Sequence, residues 1–271
     1  MRPLTDMPDA TRAAICGVLT DIDDTLSTHG RITAEAYRAL ERLRAAGKWV
    51  IPVTGRPAGW CDHIARMWPV DAVIGENGAL YMRHDDARHT LVKRFAVVDA
   101  DRVANRTRLA AIAQNVLQAV PGAALASDQH YRETDLAIDF CEDVPALPRA
   151  AVERIVTLME AEGLTVRVSS IHVNGWFGAY DKLAMTRTLA REVLGIDLDA
   201  QRDRFVFAGD SPNDAPMFDY FPNSVGVANV RGFLDRIATP PAYITRAEAG
   251  AGFAELAEFL LAGDHAPNSR S

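Results

Sequence analysis

Short apolar runs recur along the chain, at residues 14–19, 49–53, 71–74, 205–208 and 224–227, each broken off by Gly, Thr, Asp or Asn. Runs of this length, rich in β-branched and aromatic side chains and apolar on both faces, are what parallel strands buried under helices require. Between them the apolar spacing becomes helical. Thr33 stands at a capping position, Tyr37, Leu40 and Leu43 share one face, and Gly47 supplies a stop, which predicts a helix ending at Ala46. A second amphipathic stretch runs from about Asp181 to Leu194, with Leu183, Leu189, Val193 and Leu194 as its apolar positions and Gly195 closing it. Strand–helix alternation of this kind predicts an α/β fold with a Rossmann-like parallel sheet covered on both faces.

The middle of the chain breaks that rhythm. Helical patterns near residues 101–119 and 148–162 alternate with strand-like stretches at 135–141 and 165–173, and Leu136, Ile138 and Phe140 alternate with Ala137, Asp139 and Cys141 as in a half-exposed antiparallel strand. The predicted organisation is a core built from residues 1–82 and 181–271, with a second α/β unit, a cap, inserted at 83–180. Its return path, Asn174-Gly175-Trp176-Phe177-Gly178, carries two glycines suited to a hinge. The tail from Asp264 to Ser271 reads as frayed.

A chain of 271 residues accommodates one to two domains, and 48% hydrophobic with 24% charged residues is ordinary for a globular protein, so disorder is expected only at the ends. The net charge of −7, the pI near 5.5 and the lack of a basic stripe argue against nucleic-acid and anionic-membrane binding. An anionic substrate then needs local positive groups or a metal. Cys16, Cys61 and Cys141 are scattered without metal or disulfide spacing, and the N-terminal residues resemble no signal peptide, which makes the reducing cytoplasm the expected location. No apolar stretch is long enough to span a bilayer, and the dispersed histidines give no ligand spacing.

Four segments, three of them at strand ends, carry chemistry. Asp21-Ile22-Asp23-Asp24-Thr25 places two carboxylates two residues apart just past an apolar run, where an open α/β sheet binds its ligands. One such carboxylate can attack or hold a hard cation while its neighbour acts as acid. Thr54-Gly55-Arg56 offers a hydroxyl, backbone N–H groups and a guanidinium fork to a phosphate. Lys182 opens a helix, and Gly209-Asp210-Ser211-Pro212-Asn213-Asp214 again presents two acids after a strand, a set suited to Mg²⁺. Each has a plainer reading: a turn or cap for Asp24-Thr25, a turn at Thr54-Gly55, a solvated surface lysine, and a Ser-Pro helix start.

In this order the four segments resemble the signature of the haloacid dehalogenase superfamily of phosphohydrolases. The large insertion and Glu76-Asn77-Gly78-Ala79 resemble its subfamily IIB, whose α/β cap is of the second type and which includes sucrose-phosphate, mannosyl-phosphoglycerate and hexose-phosphate phosphatases and phosphomannomutase. Many relatives have Gly where this chain has Asp24. The resemblance implies a Mg²⁺-dependent sugar-phosphate phosphatase in which Asp21 attacks phosphorus, Asp23 serves as general acid and base, and Thr54 and Lys182 steady the phosphoryl group. It further implies metal binding by the Asp21 carboxylate, the Asp23 carbonyl and Asp210, with Asp214 and Asn213 supporting.

Substrate contacts are expected from Thr54, Gly55, Arg56, Glu76, Asn77 and Lys182 of the core, from Asn213, and from Ser170, His172 and Asn174, which alternation puts on one face of a cap strand. That face reads equally as the wet side of a sheet. Trp49, Trp60 and Trp68 read as core, and Trp176 as packing at the domain junction. A phosphomutase of the same fold, or a phospho-accepting signalling module, are the competing readings. The expected partner is a small phosphorylated molecule, and the protein a monomer or homodimer.

Overall fold

The computed structural model describes residues 1–262, so the tail expected to fray lies outside the described residues. In chain order the elements are β1 (Arg2–Pro3), α1 (Asp9–Ala14), β2 (Gly17–Thr20), β3 (Ser27–Thr28), β4 (Arg31–Ile32), α2 (Ala34–Ala45), β5 (Trp49–Pro52), α3 (Ala58–Met67), β6 (Val73–Gly75), β7 (Leu80–Asp85) and β8 (Thr90–Phe95). Then follow α4 (Asp99–Ala119), β9 (Ala124–Leu125), β10 (Asp135–Asp139), α5 (Arg149–Ala161), β11 (Thr165–Val168) and β12 (His172–Trp176). The chain returns through α6 (Lys182–Leu189), α7 (Leu198–Gln201), β13 (Phe205–Gly209), α8 (Ala215–Tyr220), β14 (Val225–Gly226), β15 (Tyr243–Ile244) and α9 (Ala249–Leu261).

The core sheet runs β1-β15-β14-β13-β2-β5 with every pair parallel. Its strands are short and buried, β2 and β13 on both faces, because helices cover each side. One apolar cluster joins Val18, Val50, Val206 and Val225 to α2 and α9; on the other face Leu19, Ile51 and Phe207 meet Met185, Leu189 and Phe218. From β2 the chain steps outward to β5 and later returns to β13 on the opposite side. The strand order therefore reverses between β2 and β13, which opens a crevice past their carboxyl ends. Asp21 and Asp210 stand at those two ends.

A parallel bridge between Val53 and Ile74 ties β5 to β6, and β7 and β8 continue from β6 as antiparallel strands packed on α3. The stretch from residue 83 to 95, expected in the cap, thus extends the core. The cap itself is a four-stranded antiparallel sheet, β11-β12-β10-β9, covered on one face by α4 and α5 around Leu109, Ile112, Ile138, Ile155, Met159 and Val173. Residues 165–173 are not one strand: Ser169 to Ile171 form the turn of the β11–β12 hairpin, with Ser169 Oγ accepting from the His172 amide at 2.9 Å. Nor is Asn174-Gly175-Trp176 a linker, since all three lie within β12, where a Cβ on Gly175 would stand 2.7 Å from the Met159 methyl. β10 is buried on both faces rather than half exposed, because the core covers its polar side.

Candidate active site

Asp181 Oδ1 accepts from the Ala184 amide at 2.7 Å and so caps α6, which puts Lys182 in its first turn. A lysine there opposes the helix dipole and gains nothing from solvent, for it is 5% exposed. Its ammonium instead donates to Asp21 Oδ1 at 2.9 Å and to Asp214 Oδ1 at 2.8 Å. The other oxygen of Asp214 accepts from the Asp210 amide at 3.1 Å, which fastens the loop after β13. Asp210 in turn accepts from Thr25 Oγ1 at 3.0 Å and Asn229 Nδ2 at 3.2 Å. Burial raises the pKa of Asp21, with Asp214 and Asp23 adding to the effect and Lys182 opposing it. Asp210 is raised well above its ordinary value by burial and then by Asp214 and Asp21. Burial alone would depress Lys182, but Asp21 and Asp214 more than offset it.

Oxygens of Asp21, Asp210 and Asp214 all lie within 4.8 Å of one another, and the three residues are buried. A compact set of hard oxygen donors, negative in excess of its single lysine, fits Mg²⁺ by the chemistry of its donors. Asp23 contributes no carboxylate to this group. Both its oxygens are bonded by Arg56, from Nε at 3.0 and 3.1 Å and from Nη2 at 2.8 Å, so that of Asp23 only the backbone carbonyl is left for the metal role expected of it. Asp24 has φ +54, the left-handed region where Gly is favoured and Asp or Asn is tolerated.

Arg56 is the hub of an interface that the sequence did not reveal. Besides Asp23 it donates to Glu142 Oε1 at 2.8 Å and to Asp128 Oδ2 at 3.4 Å, both from the cap, and its guanidinium lies 4.5 Å over the Trp60 ring. Burial would lower its pKa, but Asp23 and Glu142 hold it above the ordinary value. Arg132, buried in the cap, bonds Asp128 and Asp135 and reaches back to the Gly55 carbonyl at 2.9 Å. His172 Nε2 stands 2.9 Å from Glu142 Oε2, an ion-pair distance without good hydrogen-bond alignment. The imidazole, followed by Arg56, draws the Glu142 carboxyl down to about 2. Asn174 Nδ2 donates to Asp135 Oδ2 at 2.9 Å.

The remaining expected residues divide. Thr54 is buried, its Oγ1 accepting from the Arg56 amide at 3.0 Å. Ser170 lies in the hairpin turn, not on the face of His172 and Asn174, yet all three line one small cavity with Asp21, Asp23 and Asn213. Glu76 is turned away from it: its carboxylate accepts from the amides of Ala58 and Glu133 at 2.8 Å, from the Thr134 amide at 2.7 Å, and from the Thr134 hydroxyl. It pins the cap to the start of α3 and is fully committed, so it does not stand as a substrate ligand. Asn77 is buried beside Gly55, and its Nδ2 has no partner. Trp60 is 39% exposed and is not core, whereas Trp176 is buried and stacks on Tyr180 at the domain junction. The alternation of Asp135, Ala137 and Asp139 along one strand was the available signal for the missed network: two acids on one face of a strand have to meet cations or amides.

Residues 18–108 match the family of haloacid dehalogenase-like hydrolases. A Thermoplasma acidophilum protein of known structure shares 18% identity and a TM-score of 0.67, over 91% of this chain and 98% of its own. The fold is that of the haloacid dehalogenase-like hydrolases. Structural neighbours also include the C-terminal domain of trehalose-6-phosphate phosphatase from C. albicans, at 11% identity, TM-score 0.67 and coverage of 93% and 94%. Sucrose-phosphatase from Synechocystis, solved with sucrose and phosphate, aligns at 16% identity and TM-score 0.61 over 90% of this chain and 97% of its own. No curated protein matches the chain in sequence. Among the described residues no helix is long and apolar enough to cross a membrane.

Proposed function

We propose that this chain is a phosphomonoester hydrolase that acts on phosphorylated sugars with the help of Mg²⁺. The observation that carries the reading is the placement of Asp21: its carboxylate ends β2 at the strand-order reversal, fixed by Lys182 and next to the acids of the β13 loop. In this reading an Asp21 oxygen forms a bond to phosphorus as the ester P–O bond breaks, giving an aspartyl phosphate. Asp23 protonates the departing oxygen and later takes a proton from the water that hydrolyses the acyl phosphate. Thr54 and the Gly55 loop hold phosphoryl oxygens, and Lys182 orients Asp21. Bound between Asp21, Asp210 and the Asp23 carbonyl, Mg²⁺ would neutralise charge on those oxygens.

The cavity shared by Asp21, Asp23, Ser170 and His172 measures about 20 Å³, room for a single water. Substrate would therefore enter with the cap raised, and the cap would shield the acyl phosphate from bulk water on closing. The phosphatases among the structural neighbours support the choice of phosphosugars. Three free cysteines agree with a reducing cytoplasm. The test is phosphate release from nitrophenyl phosphate and a panel of phosphosugars, with Mg²⁺ and with EDTA, for the native chain and Asp21→Asn. Metal-dependent release that drops about 10³-fold or more in the variant is expected; a fully active Asp21→Asn would overturn the reading, and isomerised sugar phosphate in place of free phosphate would turn it into a mutase.

A further inference from the structure

Asp23 borders two spaces of very different character. One is the water-sized cavity beneath the cap. The other is a cavity of about 550 Å³ between α3, the β3–β4 hairpin and the cap, walled by Ile32, Trp60, Ile64, Trp68 and Tyr131. Its volume falls within the ~300–1,000 Å³ usual for small-molecule sites, and its lining is aromatic and aliphatic, as such sites commonly are. Trp60 and Tyr131 remain 39% and 50% exposed although both are large and apolar. Among the described residues they contribute two of the few large apolar surfaces left open, and they face the same space.

The chemistry expected of Asp23 connects this cavity to the reaction. A group that protonates the leaving oxygen has to stand within hydrogen-bond reach of it, so the organic part of the ester extends from a point beside Asp23. On the cap side it would meet a filled, charged network in which two guanidinium groups, Arg56 and Arg132, already face the carboxylates of Asp23, Asp128, Asp135 and Glu142. That excess of negative charge disfavours a second anionic group on the substrate. On the other side it would meet aromatic faces and open volume.

Resting on the phosphatase reading above, we propose that the Trp60–Tyr131 cavity is the leaving-group subsite, and that the substrate is a monoester whose alcohol is uncharged and carries a ring with an apolar face. Both an aryl ring and the C–H face of a sugar satisfy that chemistry, and Ser27 and His63 in the same wall can meet a hydroxyl. Arg56, stacked on Trp60 while it holds Asp23, borders the subsite at the end where Asp23 lines it.

The test compares phenyl phosphate, glucose 6-phosphate and glycerol 1-phosphate for the native protein, Trp60→Ala, Trp60→Phe and His63→Trp. His63 is an exposed wall residue that makes no hydrogen bond or ion pair to Arg56 among the described residues, so a tryptophan there fills the cavity and spares the Arg56–Trp60 stack. Trp60→Ala and His63→Trp should raise KM for a ring-bearing ester at least tenfold more than for glycerol 1-phosphate, with Trp60→Phe recovering most of the loss. Whether phenyl or glucosyl ester responds more strongly identifies the source of the ring. Equal losses on all three esters, or none, would overturn the proposal. Ligand-observed NMR with the phosphate-free probes phenol and methyl glucoside separates this inference from the activity itself. Binding of either probe that His63→Trp abolishes supports the subsite even if no ester is hydrolysed, and failure of both probes to bind the native protein counts against it whatever the activity.

Discussion

Three carboxylates and one ammonium share a buried space at the ends of β2 and β13, and that imbalance is the main electrostatic fact about each residue in it. Asp210 is raised well above 3.8 by burial and by its acidic neighbours. An acid whose folded pKa exceeds its unfolded one adds stability below the unfolded value, and that contribution is lost as pH rises from about 4 through the folded pKa. Without metal, the melting temperature of Asp210→Asn relative to the native chain should therefore climb steadily as pH rises above 4, and added Mg²⁺ should reverse the trend by stabilising only the native chain. A pH-independent difference between the two would show that Asp210 carries no such strain. The acids and Lys182 were legible because each follows a strand or opens a helix in a fixed order. Arg132, Asp128 and Glu142 were not, because they come from a loop and two turns whose partners are distant in sequence.

At the scale of elements, the turn between β6 and β7 shows how local backbone geometry serves the site. Glu76, Asn77 and Gly78 have φ of 45°, 54° and 100°, a left-handed run that brings the turn against the start of α6. A Cβ on Gly78 would lie 2.0 Å from the Asp181 carbonyl oxygen and 2.7 Å from the Lys182 amide, both backbone atoms. Gly78→Ala should cost about 2 kcal/mol or more, from the left-handed strain and from the displaced helix start, and should lower kcat because Lys182 moves with that helix. Gly163 is the control: its φ is +81 but nothing lies within 4 Å of its Cβ position, so Gly163→Ala should cost only about 1 kcal/mol and leave kinetics unchanged. Denaturant melts and steady-state rates on the two variants check both statements. The sequence foretold the core elements because a parallel sheet imposes short apolar runs and capped helices. It misplaced the β11–β12 hairpin and the β7–β8 extension because Ser169-Ser170-Ile171 lacks the Gly or Pro that marks a turn, and because antiparallel strands on a core edge look like those of a cap.

Over the whole molecule, polar contacts at the core loops hold the cap: among the described residues Arg132 reaches the Gly55 carbonyl, and two core side chains each gather several cap groups. Glu76 gathers the Glu133 and Thr134 amides, and Arg56 gathers Glu142 and Asp128. The first is fully buried, out of reach of competing water. The second has Glu142 with a 27% exposed side chain, so water can compete for it and it is the one able to release. Release would free Arg56 from its cap carboxylates while Asp23 stays on the core side, which couples cap opening to access around the acid. Glu142→Gln should consequently shift the molecule toward an open form, seen as a larger radius of gyration in solution scattering at pH 7 and faster amide exchange in β10 and the Ser169–Ile171 turn. Because the Glu142 carboxyl is held down at about 2 from an ordinary 4.5, its contribution is present above 4.5 and is lost as pH falls toward 2. The native and Glu142→Gln scattering curves should therefore converge as pH drops below 4.5. Curves that already coincide at neutral pH would mean that Glu76, Arg132 and Asp128 hold the cap without Glu142, and would return Glu142 to the role of a surface acid.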